Sequence, residues 1–443
     1  MVYRTTEIPG GMKKYILPIL SLAFTWAAQG QSPWFMYGKS QADTLASDFF
    51  YGRGHVEQGE RKAAYHIATE FQKMGLSQFA PAPSFYQPFK VSANLFPEVP
   101  VCIADAMPLV SGVHFIPDAA SGPIRKTLPL IFLDSITLSN PKTYSRMMGK
   151  SWVGKGIVVD RKGIKDESLK QILQNVLQFN PLKADLIIEL QDKLTFSAAT
   201  QPKNFAHIHV LRSMITRETA QVKINMPTSF IPEIQSSNVT GYVWGKEVTD
   251  TFVVFTAHYD HLGMLGRHVI FPGANDNASG TAMLLTLAKY FSQPENRPRY
   301  SVAFIAFAGE EAGLLGSQHY VRKPIIPLKK IKFLVNLDML GTGEEGITVV
   351  NATEHRKEFD QLQALNTANK WLAQIKPRGK AANSDHYPFS EAGVKAFFMY
   401  TMGGTKAYHD IYDRAETLPL TKFEEVFQLL TAFHAFLDRR PNP

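Results

Sequence analysis

Five side chains in the C-terminal half carry imidazole and carboxylate groups of the kind that can hold a catalytic metal: His258, Asp276, Glu311, Asp338 and His409. Zinc takes neutral imidazole nitrogen and carboxylate oxygen, and a catalytic site leaves one position open for water. Two ions roughly 3.5–4 Å apart can share one hydroxide and stabilise a tetrahedral intermediate between them. A carboxylate bridging two ions has to be rigid, which suits Asp276 in the tight loop Gly273-Ala274-Asn275-Asp276-Asn277. The adjacent pair Glu310-Glu311 suits two jobs, one side chain on metal and its neighbour taking a proton from water. Taken singly, these residues have plainer readings. His258 with Asp260 makes a surface pair at a strand end, Glu310-Glu311 a solvated helix start, and Asp338 a turn.

The elements that must position them decide between those readings. Apolar runs at 238–244, 251–257, 301–308, 332–337 and 395–401 read as strands, with helical patterns at 279–291, 357–374 and 423–437. Ser279 or Asn277 is available to cap the first of these helices. Strands alternating with helices argue for an α/β fold: a mixed, mostly parallel sheet sandwiched by helices. In such sheets ligands bind beyond the carboxyl ends of the strands. The run 251–257 leads straight into His258-Tyr259-Asp260, 301–308 into Gly309-Glu310-Glu311, and 332–337 into Asp338. The run 395–401 leads through Gly403-Gly404 to Tyr408-His409-Asp410. The five groups therefore gather at one edge of one sheet.

In order along the chain, several segments resemble the zinc aminopeptidase family that includes bacterial leucyl-type aminopeptidases, glutamate carboxypeptidase and glutaminyl cyclase. They are Thr256 to Gly263, Gly273 to Gly280, Gly309-Glu310-Glu311, Asn336 to Gly341, Ser384-Asp385-His386 and Tyr408-His409. The early Gly52-Arg53-Gly54 with the helical stretch 59–74 also resembles that family's entry. The resemblance implies two zinc ions, with cobalt or manganese as substitutes, bridged by Asp276. His258 and either Glu311 or Asp338 divide between the ions, and His409 closes the second site. It implies Glu310 as general base, Asp260 orienting His258 from behind, and Tyr408 as a donor to the oxyanion. A cis peptide at Asp276–Asn277 is a further family feature. Asn277 stands where the family often has a second acid, and reads as a backbone and capping position. His386 matches the family's Ser-Asp-His in a structural role. His261, His268, His319 and His355 read as surface or loop residues.

The implied activity is an aminopeptidase acting on peptides, with a carboxypeptidase or dipeptidase of the same family as the alternative. A glutaminyl cyclase uses one metal and does not keep the first histidine, which is present here as His258. A non-catalytic binding relative should lack a ligand or the base, and none is missing.

The middle of the chain reads differently. Short buried strands at 128–133, 156–159 and 184–190, with a helix at 167–177, suggest an inserted module over 97–235. It resembles a protease-associated domain, mainly through Gly154 to Val159. The peptidase domain is then 31–96 with 236–443, and residues 1–30 read as a secretory signal. Lys13 and Lys14 precede the apolar run 15–28, and Ala28-Gln29-Gly30 offers a small-residue cleavage site, with Met12 as an alternative start. The expected location is secreted or periplasmic, with no membrane span.

At 443 residues and 45% hydrophobic, the chain can bury a large core. Its formal charge is +8, of which residues 1–30 contribute +2, and no dense Lys/Arg run suggests a nucleic-acid partner. The single cysteine, Cys102, rules out an internal disulfide and a thiolate metal cluster, and reads as a small core residue. Three Asn-x-Ser/Thr sites, at Asn238, Asn277 and Asn351, are assigned no sugar.

Overall fold

The computed structural model describes residues 31–79 and 84–439. The expected signal at 1–30 and Ala80-Pro81-Ala82-Pro83, which the sequence reads as a loop, lie outside the described residues. Among the described residues no helix is long and apolar enough to cross a membrane.

Among the described residues the strands form two eight-stranded sheets and a two-stranded ribbon, Met264–Leu265 with Val269–Ile270. The larger runs, edge to edge, Tyr86–Leu95, Ser229–Val243, Tyr300–Phe307, Val248–His258, Ile331–Leu337, Ala396–Met402, Gly346–Val350 and Ile375–Pro377. Its four inner strands from Tyr300–Phe307 to Ala396–Met402 are mutually parallel, and antiparallel neighbours flank them on both sides. The sheet is thus mixed, with a parallel centre. Parallel strands buried on both faces read as unbroken apolar runs, and Tyr300–Phe307 is buried at every position.

Alternate side chains face two different cores. Val253, Phe255 and Ala257 pack under helices Gly59–Lys73, Gly280–Ser292 and Phe423–Leu437. Val254 points the other way, with Ala303 and Ile305, toward Tyr320 of helix Leu315–Arg322 and Phe389 of helix His386–Glu391. An N-terminal helix, Pro33–Leu45, closes the first face. It starts on Ser32, whose hydroxyl accepts from the Phe35 amide at 3.1 Å, with proline in the first turn.

The helix expected over 357–374 ends at Asn369, and a short strand, Ile375–Pro377, follows. Lys370 takes φ 55°, and the Asn366 side chain bonds both the amide and the carbonyl of Leu372. A local side-chain bond of this kind competes with helix propagation.

The second sheet spans Val101–Ala104 to Gln221–Met226 and is covered on one face by helix Glu167–Phe179. Its parallel centre is Ile124–Leu133, Gly156–Val159, Leu186–Gln191 and Ala206–Leu211. Cys102 is buried in its core. Residues 229–235, read as part of the inserted module, instead continue the strand Ser229–Val243 of the larger sheet. They pair there with Tyr86–Leu95, down to Leu95 opposite Ser229. A two-stranded ribbon therefore leads into and out of the insert.

Candidate metal centre

The strand Val248–His258 delivers the first imidazole. His258 Nε2 lies 3.3 Å from Asp276 Oδ1 and 3.4 Å from Asp338 Oδ1. On the other side, His409 Nε2 lies 3.0 Å from Asp276 Oδ2 and 3.2 Å from Glu311 Oε2. The two oxygens of one carboxylate, Asp276, thus face two separate nitrogen–carboxylate pairs. Ligand atoms around a tetrahedral zinc at 2.0–2.1 Å stand about 3.3 Å apart, so each pair has the spacing of neighbouring ligands. His258, Glu310 and Asp338 form one metal-capable group, and His261, Asp276, Glu311 and His409 form another. Asp338 Oδ1 is buried and makes no hydrogen bond, which fits an oxygen reserved for a cation.

Asp276 is held from its backbone. The amides of Asn275 and Asp276 donate to the two oxygens of Asp413 at 2.9 and 3.0 Å. The Asp276–Asn277 peptide is cis. Gly273 opens the loop at φ +58°, where a Cβ would meet the Asp276 carbonyl at 2.1 Å and the His261 ring at 2.4 Å. Only glycine fits there. Asn277 explains its own departure from the family pattern. Its Oδ1 accepts from the amides of Gly280 and Met339, and its Nδ2 donates to the Leu337 carbonyl at 3.0 Å. An aspartate has no N–H for that last bond. Asn277 therefore supplies the helix cap, while Ser279 turns back to the Asn275 carbonyl.

Asp260 lies between His258 and the glutamate turn. Its carboxylate is 3.7 Å from His258 Nδ1, and its main-chain carbonyl is nearer, at 3.2 Å. Its oxygens instead accept the amides of Glu310 and Glu311 at 3.2 and 3.3 Å, fixing the glutamate turn. His409 is oriented by the second sheet's chain: its Nδ1 donates to the Phe196 carbonyl at 3.0 Å, and the Phe196 amide returns a bond to the His409 carbonyl. Ser384 donates to Asp338 Oδ2 at 2.9 Å. His386 is buried against Phe398 and belongs to neither metal-capable group. Tyr408 stacks flat on His409 with ring centroids 4.0 Å apart, and remains 40% exposed.

The charges are unbalanced toward acid. Burial raises the Glu310 carboxyl well above its usual range, with Asp385, Glu311 and Asp338 adding to the rise against the pull of His258. Burial opposes a charge on His409, but Glu311 and Asp276 outweigh it and bring its pKa up to about 11. Burial likewise raises Asp385 to about 7. Buried carboxylates at this density call for cations.

Two residues were missed by sequence reasoning. His261, read as a surface or loop residue, is buried inside the centre. Its Nδ1 donates to Glu311 Oε1 at 2.7 Å, and its Nε2 is buried without a partner. The three-residue step from His258 carries the chain round the strand end and back against the glutamate turn. His261→Ala is expected to weaken metal binding at the Glu311–His409 pole by roughly 10–100-fold, the usual effect of removing such a support. Competition against a chromophoric chelator measures it, and an unchanged affinity contradicts the role.

The second is Arg53, fully buried, which the sequence marks only by flanking glycines. Its guanidinium donates to the carbonyls of Leu45, Tyr259, Pro272, Gly273 and Asp276, at 2.7–3.3 Å. Burial lowers its pKa to about 10, so it stays charged at neutral pH. Arg53→Met strips several buried carbonyls of their donor, at about 1–3 kcal/mol each. Urea unfolding should show a loss above about 3 kcal/mol; a loss under about 1 kcal/mol contradicts this reading.

Residues 238–434 match peptidase family M28. The aminopeptidase YwaD of Bacillus subtilis is 33% identical over 207 residues, 44% of each chain. A probable leucine aminopeptidase of Arthroderma otae is 29% identical over 200 residues, 42% of this chain and 54% of that protein. The chain thus spans about half the length of these curated relatives, or less. A zinc aminopeptidase structure from Bacillus subtilis superposes with TM-score 0.66 at 20% identity, covering 91% of this chain and 95% of that one. A peptidase M28 precursor from Shewanella amazonensis superposes with TM-score 0.64 at 17% identity, covering 92% and 99%. These two superpositions extend the shared fold through the second sheet.

Proposed function

We propose that this chain, whose residues 238–434 belong to peptidase family M28, is a two-zinc aminopeptidase that removes N-terminal residues from peptides. The observation that carries the reading is the Asp276 carboxylate, with each oxygen about one ligand spacing from a different histidine. His258, Asp338 and Asp276 would hold one ion, and Glu311, His409 and Asp276 the other. A zinc pair bound there supplies Lewis acidity to a water and to the scissile carbonyl. Cobalt or manganese suits the same oxygen and imidazole donors.

Glu310 acts on the proton. Its raised pKa suits a group that takes a proton from the attacking water and passes it to the departing amine. Asp260 keeps that carboxylate in place through the two turn amides. Tyr408, stacked on His409 and partly exposed, is available to donate to the oxyanion.

The substrate is a peptide with a free amino terminus. A cleft beside Glu311 and His261 is walled by Phe96, Phe196 and Ala199, so the insert, in its protease-associated-like role, restricts what enters. The basic, apolar and small-residue pattern of residues 1–30 supports export to the periplasm or exterior. A panel of aminoacyl-arylamides and N-blocked peptides tests the reading. Turnover of free amino termini alone supports it. Cleavage of blocked but not free peptides assigns a carboxypeptidase of the same family instead.

A further inference from the structure

The second sheet holds another cluster of ligating side chains. His207 and His209 stand two residues apart on strand Ala206–Leu211, and Asp118 follows the antiparallel edge strand Phe115–Pro117. Asp118 Oδ2 lies 3.3 Å from His207 Nδ1 and 3.5 Å from His209 Nε2. These match the spacings around Asp276 and the about 3.3 Å edge of a tetrahedral zinc site. Together the three form a metal-capable group.

The surroundings match as well. A ligating histidine ordinarily gives its other ring nitrogen to a carboxylate. His209 Nδ1 lies 3.2 Å from Glu189 Oε2, on the neighbouring strand Leu186–Gln191, with the Gln191 amide 2.9 Å from the same nitrogen. Arg161 pairs with the other oxygen of Glu189. His207 is buried and departs from this pattern, since its Nε2 has no hydrogen-bond partner.

A positive charge already occupies the point of convergence. Lys203 Nζ lies 2.9 Å from His207 Nδ1 and 3.1 Å from Asp118 Oδ1. An ammonium only donates, so a bond from Lys203 calls for a lone pair on His207 Nδ1, the form that binds metal. Lys203 sits on a loop at the end of a flexible stem and can withdraw toward solvent.

We propose that the insert binds a divalent ion of the zinc class through Asp118, His207 Nδ1 and His209 Nε2, with Lys203 as its built-in competitor. The ion fastens the turn after Phe115–Pro117 to strand Ala206–Leu211 and so closes that end of the second sheet. None of its ligands comes from the elements that carry the Asp276 centre.

The test is the zinc content of the full chain after loading with Zn2+ and desalting, compared with His207→Ala/His209→Ala. One ion fewer in the double variant is expected. Equal contents overturn the proposal. Because the readout is a difference, it stands whether or not the other centre holds zinc. Should the double variant fail to fold, Glu189→Gln keeps the ligands and is expected to weaken this ion's binding about 10–100-fold. Lys203→Met should tighten it about tenfold, the scale on which such neighbouring groups act. Unchanged affinity in both single variants overturns the proposal equally.

Discussion

Glu310→Gln is expected to lower kcat by about 10²–10⁴-fold, the usual contribution of a positioned acid–base group, with zinc content equal to that of the parent chain. The amide keeps the size of the side chain, and the turn amides stay bonded to Asp260. What is lost is the capacity to accept a proton. The effect should fall on kcat rather than KM, because the proton moves only in the reaction. Turnover of a leucyl-arylamide beside elemental analysis of the same sample reads both quantities. Full activity removes Glu310 from the mechanism, and loss of zinc with activity makes it a ligand instead.

The second large effect concerns Asp276. Asp276→Ala removes the carboxylate that serves both poles, so both ions are expected to leave and activity to fall by about 10⁴-fold or more. Substitution at one pole should be milder in metal content. His409→Ala leaves His258 facing Asp276 and Asp338, and should cost one ion. Loss of a single ion in Asp276→Ala contradicts the bridging role. The unpaired acids also make the metal-free protein less stable, since anything that binds only the folded state stabilises it. Thermal unfolding with and without added Zn2+ should therefore separate for the parent chain and coincide for Asp276→Ala in its peptidase domain.

The residues that were legible from sequence share one trait: their neighbours in space are also neighbours in pattern. His258, Glu311 and Asp338 each end or follow a run of buried strand residues, so the sheet's edge could be inferred before its order was known. The parallel centre was visible for the same reason, because strands covered on both faces show no polar alternation. Phe423–Leu437 showed its full extent, since its apolar face repeats at helical spacing to the last turn.

What was not legible depends on contacts across long stretches of chain. Arg53 binds carbonyls of Tyr259, Gly273 and Asp276, more than 200 residues away, and nothing beside it in sequence signals a buried cation. His261 lies beyond the strand end, where the apolar pattern has stopped. Its role follows only from how Glu311 folds back over it. The insert meets His409 through the main chain of Phe196, and main-chain groups leave no mark in residue identity. Residues 229–235 read with the insert because their strand is defined by pairing with residues 86–95, far away in the chain.

The coupling through Phe196 would give the insert a share in the proposed chemistry. His409 is held by one hydrogen bond from that segment at Nδ1, which sets the tautomer and leaves Nε2 free to face Asp276 and Glu311. On the proposed reading, a segment that walls the cleft and orients His409 would tie substrate selection to that pole.

An anomalous difference map of zinc-loaded crystals at the zinc edge tests the central claim most directly. Two peaks roughly 3.5–4 Å apart, one between His258, Asp276 and Asp338 and the other between Asp276, Glu311 and His409, are expected. A single peak at this centre, or a pair in which Asp276 touches only one ion, contradicts the account.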